Sequence, residues 1–274
     1  MEQTAAPHKV AIGAVVRFAY RNVFGRIGLI SELGWIVLLI LLAASILPPL
    51  LLPGAVMSDP LPLGPLDYAL AGVTLLALSA FAVCWHQLIL LGDPRRQPRA
   101  LFVRAWLRFL IYGCVLYAVL AAILVVTLLS MQPLAGGMTA KALAAAAALL
   151  LSWLALLTAA RCALLFPAAA CGKPLHLASA WRLMAGNTWR LVAATILTAL
   201  PLKAVTFAVI TILVAAIRPQ GAGHLVTPPF GFVILMGVVG TVSNMLLAAL
   251  GASVLSGFYR ELVAWRGDAA APAA

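Results

Sequence analysis

Charged side chains are scarce in this chain, and acidic side chains are the scarcest. Of its 274 residues, 9% are charged and 65% are hydrophobic, with 7 Asp and Glu against 18 Lys and Arg. Soluble domains are about half apolar and about a quarter charged. Because a water-soluble surface of this size needs far more charge, the composition excludes a soluble fold and predicts an integral membrane protein.

The sequence also lacks the residue patterns that are typical of metal sites and of catalytic sites. No two cysteines have CxxC spacing, and the histidines are scattered along the chain. The residues concerned are Cys84, Cys114, Cys162 and Cys171, and His8, His86, His176 and His224. Metal binding and nucleophilic catalysis both need partner residues that this pattern does not supply. The sequence therefore predicts no enzyme, no metal and no cofactor, and we expect the cysteines to act as small hydrophobic residues.

Six long apolar stretches are what the sequence does contain. They run over about 28–47, 68–91, 104–131, 141–167, 191–217 and 230–259. Each is long enough for a membrane-spanning helix, which needs about 20 residues. We predict an all-α polytopic membrane protein with six transmembrane helices in three hairpins. Residues 1–274 form one membrane domain, with an interfacial N-terminal segment (1–27), a six-helix bundle (28–259) and a cytoplasmic tail (260–274).

The positive charges gather on one side of the predicted spans. Four precede the first span, five lie between the second and third, four between the fourth and fifth, and two after the sixth, against two on the opposite side. This bias predicts that both termini lie in the cytoplasm. The net charge of +11 does not indicate nucleic-acid binding, because the bases flank apolar runs and form no soluble basic face.

Two short stretches combine apolar and basic residues at helical spacing, about 10–26 and about 177–185. Such segments are typical of helices that lie in the headgroup plane, with the apolar face in the acyl boundary. We expect anionic lipid headgroups as partners of the neighbouring bases. The headgroup-facing candidates are Arg17, Arg21, Arg95, Arg96, Arg182 and Arg190.

The stretch Leu177–Leu191, LASAWRLMAGNTWRL, follows Gly172-Lys173-Pro174. It resembles a signature in a broad group of bacterial six-span proteins, which includes the membrane domain attached to some glycerophosphodiester phosphodiesterases. The resemblance implies a multi-pass protein of the bacterial inner membrane, with paired helices and cytoplasmic linkers. It implies no activity, because the phosphodiesterase's catalytic domain is absent from this chain. From the residues themselves, Gly186-Asn187 suits a left-handed helix stop.

Lys203 is the one base expected in the middle of a span. A lysine at that depth costs about 3 kcal/mol or more and usually faces a partner or a cavity. Pro201 bends the same helix and frees a backbone carbonyl, and Asn244 lies at a similar depth on a stripe of small residues in the sixth span. We predict a buried polar site of Lys203, Asn244 and Pro201, either structural or part of a path for an anion.

Three classes of function follow from this pattern. The first is a non-enzymatic accessory, organising or lipid-interacting module, whose further partners are other membrane proteins or a second copy of the chain. The alternative is a transporter or exporter of a small or lipid-like anion, with Lys203 in its path. An intramembrane enzyme is disfavoured, because no acid and base are paired at one depth.

Overall fold

The computed structural model describes residues 8–51, 65–92, 98–131, 138–173, 175–217 and 230–270. These residues form helices and no strand, as the sequence predicts. The helices are α1 (Ile12–Phe24), α2 (Ile27–Leu51), α3 (Pro65–Leu90), α4 (Arg99–Met131), α5 (Met138–Cys162), α6 (Leu165–Ala170), α7 (Leu177–Leu183), α8 (Thr188–Ile217) and α9 (Phe230–Ala270).

Within the described residues, six stretches of helix are long and apolar enough to cross a membrane, which confirms the predicted number. They are Ile27–Leu47, Tyr68–Leu90, Arg99–Ile123, Ala145–Ala170, Thr188–Ala216 and Phe230–Val263. In lipid, a backbone polar group that is not bonded within the protein costs several kcal/mol, so apolar segments of this length adopt helices. The last stretch has 34 residues, more than the roughly 20 that cross the hydrocarbon core.

Prolines affect these helices in different ways. The fourth stretch is interrupted by a turn at Ala163 and Leu164, so it consists of α5 followed by the short α6. Pro167 contributes to the interruption, because it has no N–H to donate to the carbonyl four residues earlier. By contrast, α8 continues through Pro201, and α2 runs to Leu51, past Pro48.

Helix α9 lies at the centre of the packing and contacts α1, α2, α3, α6 and α8. Consecutive spans also pack together: α2 with α3, α4 with α5, and α8 with α9. Glycines allow α2 and α9 to approach closely. A Cβ on Gly34 would overlap the Met245 side chain, and one on Gly237 would lie 3.3 Å from Ile46. Small residues at such contacts let membrane helices gain van der Waals packing.

Helix α1 packs against α8 and α9. Its buried apolar side chains, Val15, Ala19 and Val23, belong to the main core. The predicted burial of this face in the acyl boundary is therefore wrong for these three residues, because protein covers them. A stripe of apolar residues at helical spacing looks the same in sequence whether lipid or another helix covers it.

Candidate functional site: the end of the bundle that carries the bases

The side chain of Asn187 holds the chain just before α1 in place. Its Oδ1 accepts a hydrogen bond from the Val10 backbone N–H at 3.0 Å, and its Nδ2 donates to the His8 carbonyl at 2.7 Å. Arg190 Nη1 donates to the Val10 carbonyl at 2.8 Å. Val10 is fully buried, so these bonds satisfy backbone groups that water does not reach. The residues just before α1 are therefore fastened to the start of α8.

The turn between α7 and α8 presents Asn187 to its partners. Gly186 has φ +79°, the left-handed conformation that the Gly-Asn pair predicts, and this confirms a left-handed stop after α7. The Asn187 N–H then bonds to the Met184 carbonyl at 2.9 Å, and α8 begins at the next residue. The sequence indicated the stop but gave no signal that the Asn187 side chain binds residues far away in the chain.

Three consecutive residues at the end of α3 reach into the bundle. Trp85 Nε1 donates to Ser253 Oγ at 2.9 Å, and His86 Nδ1 lies 2.8 Å from Ser256 Oγ. Gln87 Nε2 donates to the carbonyl of Ala170, the last residue of α6, at 3.0 Å. The structure buries all three residues, so they join α3 to α9 and α6.

Several helices carry basic residues at or near one of their ends. Side-chain contacts hold these helix ends together on one side of the bundle. The Arg260 guanidinium of α9 stacks on the Phe18 ring of α1 at 4.5 Å, and Arg161 of α5 stacks on Trp181 of α7 at 4.6 Å. A Cβ on Gly172 would lie 3.1 Å from Leu101, near the start of α4. Cation–π pairs of this kind contribute about 0.5–2 kcal/mol each. The two cation–π pairs also hold the guanidinium groups of Arg260 and Arg161 in place.

The predicted headgroup-facing arginines differ in their surroundings. Arg17, Arg21 and Arg182 are exposed, whereas Arg190 is half-buried and bonded to the backbone of Val10. Arg95 and Arg96 lie outside the described residues. The other described bases that are exposed near span ends are Lys9, Arg26, Arg99, Arg104, Arg108, Lys173 and Arg260. This end of the bundle therefore presents ten exposed bases.

The three residues of the predicted buried polar site are exposed at the surface of the chain. Pro201 and Lys203 are exposed on α8, and Asn244 is exposed on α9. The polar contact between these helices is instead Thr206 Oγ1 with Ser243 Oγ, at 2.8 Å. Asn244 borders a cavity that it shares with α2 and α3, and Lys203 does not line that cavity. The three residues are therefore exposed rather than buried as predicted, and Lys203 is not among the residues that line the cavity beside Asn244.

Two cavities open among the membrane-spanning stretches. One, of about 260 Å³, lies between α2, α3 and α9 and is lined partly by hydroxyl and amide side chains, including Thr74, Thr241 and Asn244. The other, of about 230 Å³, lies between α3 and α4 and is almost entirely apolar. The first cavity therefore offers hydrogen bonds at a depth where lipid tails offer none.

All four cysteines are free, and three of them are half-buried, whereas Cys114 is exposed. Burial raises the pKa of the Cys171 thiol to about 11, an effect that the positive charge of Lys173 opposes. This thiol is therefore protonated and weakly nucleophilic at neutral pH. Among the described residues, no group of three or more His, Cys, Asp or Glu side chains could hold a metal ion.

Searches against protein families, curated proteins and solved structures found no match to this chain. The resemblance of Leu177–Leu191 to the phosphodiesterase membrane domain therefore stays a prediction.

Proposed function

We propose that this chain is a non-enzymatic multi-pass protein of the bacterial inner membrane. In this proposal it binds anionic lipid headgroups and acts as an accessory or organising module for lipid or for other membrane proteins. Its basic end faces the cytoplasm, with both termini on that side. The six spans form three hairpins, and α1 and α7 lie near the interface between headgroups and acyl chains.

The observation that carries this proposal is the rigid presentation of bases at one end of the bundle. Helix α1 exposes Arg17 and Arg21, while its other side is packed on α8 and α9 and its leading residues are held by Asn187. Pre-organised bases lose less conformational entropy on binding than mobile ones. A fixed array of arginines is therefore well suited to phosphate groups, which guanidinium binds in a bidentate manner.

The position of the bases relative to the spans also supports binding to the membrane surface. Ten exposed bases lie outside the spans or within ten residues of a span end. Juxtamembrane bases contribute about 1 kcal/mol each to the attraction for an anionic leaflet. The transport alternative needs Lys203 in a polar path, but the exposed Lys203 does not line the polar cavity that contains Asn244. The geometry therefore favours lipid binding over transport.

Replacing three exposed arginines tests the proposal. Phosphatidylglycerol should stabilise the wild-type chain in detergent more than phosphatidylcholine does, because only the former carries net negative charge. Arg17→Gln, Arg21→Gln and Arg182→Gln together should reduce this difference by about 3 kcal/mol, at about 1 kcal/mol for each base. High salt should have the same effect, since it screens exposed charges. Thermal unfolding with each lipid measures the difference.

Lys203→Gln is the control and is compared with Arg17→Gln alone, because each removes one exposed positive charge but Lys203 lies in the middle of a span. It should leave the preference for phosphatidylglycerol unchanged. Equal stabilisation of the wild-type chain by both lipids would contradict the proposal. A loss of the preference in Lys203→Gln alone would instead favour the anion-path alternative.

A further inference from the structure

Lys203 is a basic side chain on the uncovered surface of the fifth membrane-spanning stretch. The residue is exposed on α8, 15 residues after the start of the stretch at Thr188 and 13 residues before its end at Ala216. At 1.5 Å per residue, the nearer end is about 20 Å away along the helix. This distance exceeds the length of a lysine side chain, so Lys203 does not reach the headgroups by extending along the helix.

The surroundings of Lys203 do not compensate its charge. In membrane proteins, an ionisable side chain at such a depth almost always meets an opposite charge, a backbone carbonyl or a water-filled cavity. Among the described residues, no hydrogen bond or ion pair involves Lys203. It also lines neither of the two cavities described above. A compensating group is therefore expected from another molecule.

The acidic residues of this chain lie at the wrong depth to be that group. Of its seven Asp and Glu residues, Glu32 and Glu261 are the two that fall within the six described stretches. Glu32 lies five residues after the start of the first stretch, and Glu261 lies two residues before the end of the sixth. A second copy of the chain, in either orientation, would also place these carboxylates near the ends of its spans. The compensating acid is therefore expected on a different protein.

Lipids do not offer a negative charge at this depth either. The hydrocarbon core of a bilayer is about 30 Å thick, so its centre is about 15 Å or more from the phosphates on each side. A carboxylate stays near the centre when it belongs to a helix that crosses the membrane, because the apolar remainder of that helix holds it there. The depth of Lys203 thus selects a transmembrane helix over a headgroup.

The surface of α8 around Lys203 is open to such a helix. From Ala199 to Ala216 no residue is buried, and the partly buried residues recur every three or four positions. This single stripe includes Thr206, which bonds to Ser243 of α9. Beside the stripe, exposed residues on successive turns share one face of about 22 Å in length at 1.5 Å per residue. They are Ile196, Leu200, Lys203, Phe207 and Thr211.

We propose that this face of α8 docks a transmembrane helix of another membrane protein, and that an aspartate or glutamate near the middle of that helix pairs with Lys203. A carboxylate and an ammonium group attract strongly where little water screens them. The apolar neighbours Leu200 and Phe207 supply the van der Waals packing that holds membrane helices together. The inference rests on the organising role proposed above and adds the chemistry of the partner.

Synthetic transmembrane peptides that differ at one central position test this pairing. Each has about 20 leucine and alanine residues, enough to cross the bilayer, with glutamate or glutamine at its centre. The labelled chain is reconstituted in phosphatidylcholine vesicles, and energy transfer to a labelled peptide measures association. The glutamate peptide should bind about tenfold more tightly than the glutamine peptide, a ratio that corresponds to 1.4 kcal/mol. Lys203→Met should bring the two affinities together and keep the chain folded, because the position is exposed.

Charge reversal separates pairing from a general effect of changing Lys203. Lys203→Glu should lose the preference for the glutamate peptide and should bind a lysine-centred peptide about tenfold more tightly than the wild-type chain does. Asn244→Leu is the control, because Asn244 is also an exposed polar residue far from its span ends but lies on α9. It should preserve the tenfold ratio. Every variant keeps the bases of the basic end, and phosphatidylcholine carries no net charge.

Three results would overturn the proposal. Equal binding of the glutamate and glutamine peptides by the wild-type chain would mean that Lys203 recognises no carboxylate. An undiminished preference in Lys203→Met would place the recognition on another base. Self-association of the wild-type chain that Lys203→Met abolishes would make a second copy the occupant of this face. If the two peptides bind equally while phosphatidylglycerol still stabilises the chain preferentially, this proposal fails and the headgroup proposal stands.

Discussion

Asn187→Ala should strongly destabilise the protein, because it removes both hydrogen bonds that fasten the chain before α1. The Val10 N–H and the His8 carbonyl would each lose the hydrogen bond to the Asn187 side chain. Val10 is fully buried. An unsatisfied buried group costs about 1–3 kcal/mol, so the expected loss is about 2–4 kcal/mol. Thermal unfolding in detergent, followed by tryptophan fluorescence, measures it. Trypsin should also cleave after Arg17 sooner than in the wild-type chain, because α1 would detach more often.

Asn22→Ala provides the matched control for this prediction. Asn22 is also a buried asparagine, but its Nδ2 bonds only to the Phe18 carbonyl of its own helix. Its replacement should cost about 1 kcal/mol, the usual contribution of one hydrogen bond. If Asn187→Ala and Asn22→Ala unfolded at the same temperature and resisted trypsin equally, the fastening role of Asn187 would be wrong.

Gly34→Leu should have a comparable or larger effect, because α2 and α9 touch at this glycine. A Cβ there already overlaps the end of the Met245 side chain and lies 3.3 Å from the Phe81 ring. Met245 can move aside for one carbon, so Gly34→Ala should cost about 1–3 kcal/mol, and leucine more. Thermal unfolding in detergent measures the effect.

Gly28→Leu controls for the general effect of adding a side chain to α2, since a Cβ at Gly28 meets nothing within 4 Å. It should change stability by less than about 0.5 kcal/mol, as is usual for surface positions. Gly34→Ala combined with Met245→Ala should lose less stability than the sum of the two single changes, because the shorter side chain relieves the overlap. Equal unfolding temperatures for Gly28→Leu and Gly34→Leu would argue against close packing of α2 on α9.

The number and class of the helices could be predicted from the sequence because lipid imposes a strong constraint. A chain with 65% hydrophobic residues and 9% charged residues must satisfy its backbone internally wherever it is in lipid. The length of each apolar stretch is then enough to locate the spans. The boundaries were less certain, as the turn at Ala163 and Leu164 inside the fourth span shows. Pro167 was visible in the sequence, but Pro201 lies within a continuous helix, so proline alone does not decide the outcome.

The orientation of each helix about its own axis could not be predicted. Position along a span follows from residue count, so Lys203 and Asn244 were correctly expected to be distant from span ends. The side of the helix that they occupy can be predicted only from the hydrophobic periodicity of the sequence. A helix that is apolar on every side has little such periodicity. Thr206 and Ser243, rather than Lys203 and Asn244, meet between α8 and α9. The polar cavity of Asn244 involves α2 and α3, which no local pattern indicates.

Contacts between distant parts of the chain were also hidden from the sequence. Asn187 follows a glycine in a turn, which predicts the turn but not a partner such as Val10, 177 residues away. The apolar face of α1 predicts that this face is buried. The sequence does not indicate what covers it, and in the fold α8 and α9 do so. The buried bonds of Trp85, His86 and Gln87 likewise depend on where α9 and α6 lie.

The orientation of the chain in the membrane is tested most directly by labelling single cysteines with a membrane-impermeant maleimide. Lys173→Cys lies at the basic end, and Gly221→Cys lies in the loop between the fifth and sixth spans, outside the described residues. The four natural cysteines are first replaced by alanine. We expect Gly221→Cys to react in intact spheroplasts and Lys173→Cys to react only after the membrane is permeabilised. Labelling of Lys173→Cys in intact spheroplasts, with Gly221→Cys protected, would contradict a basic cytoplasmic end.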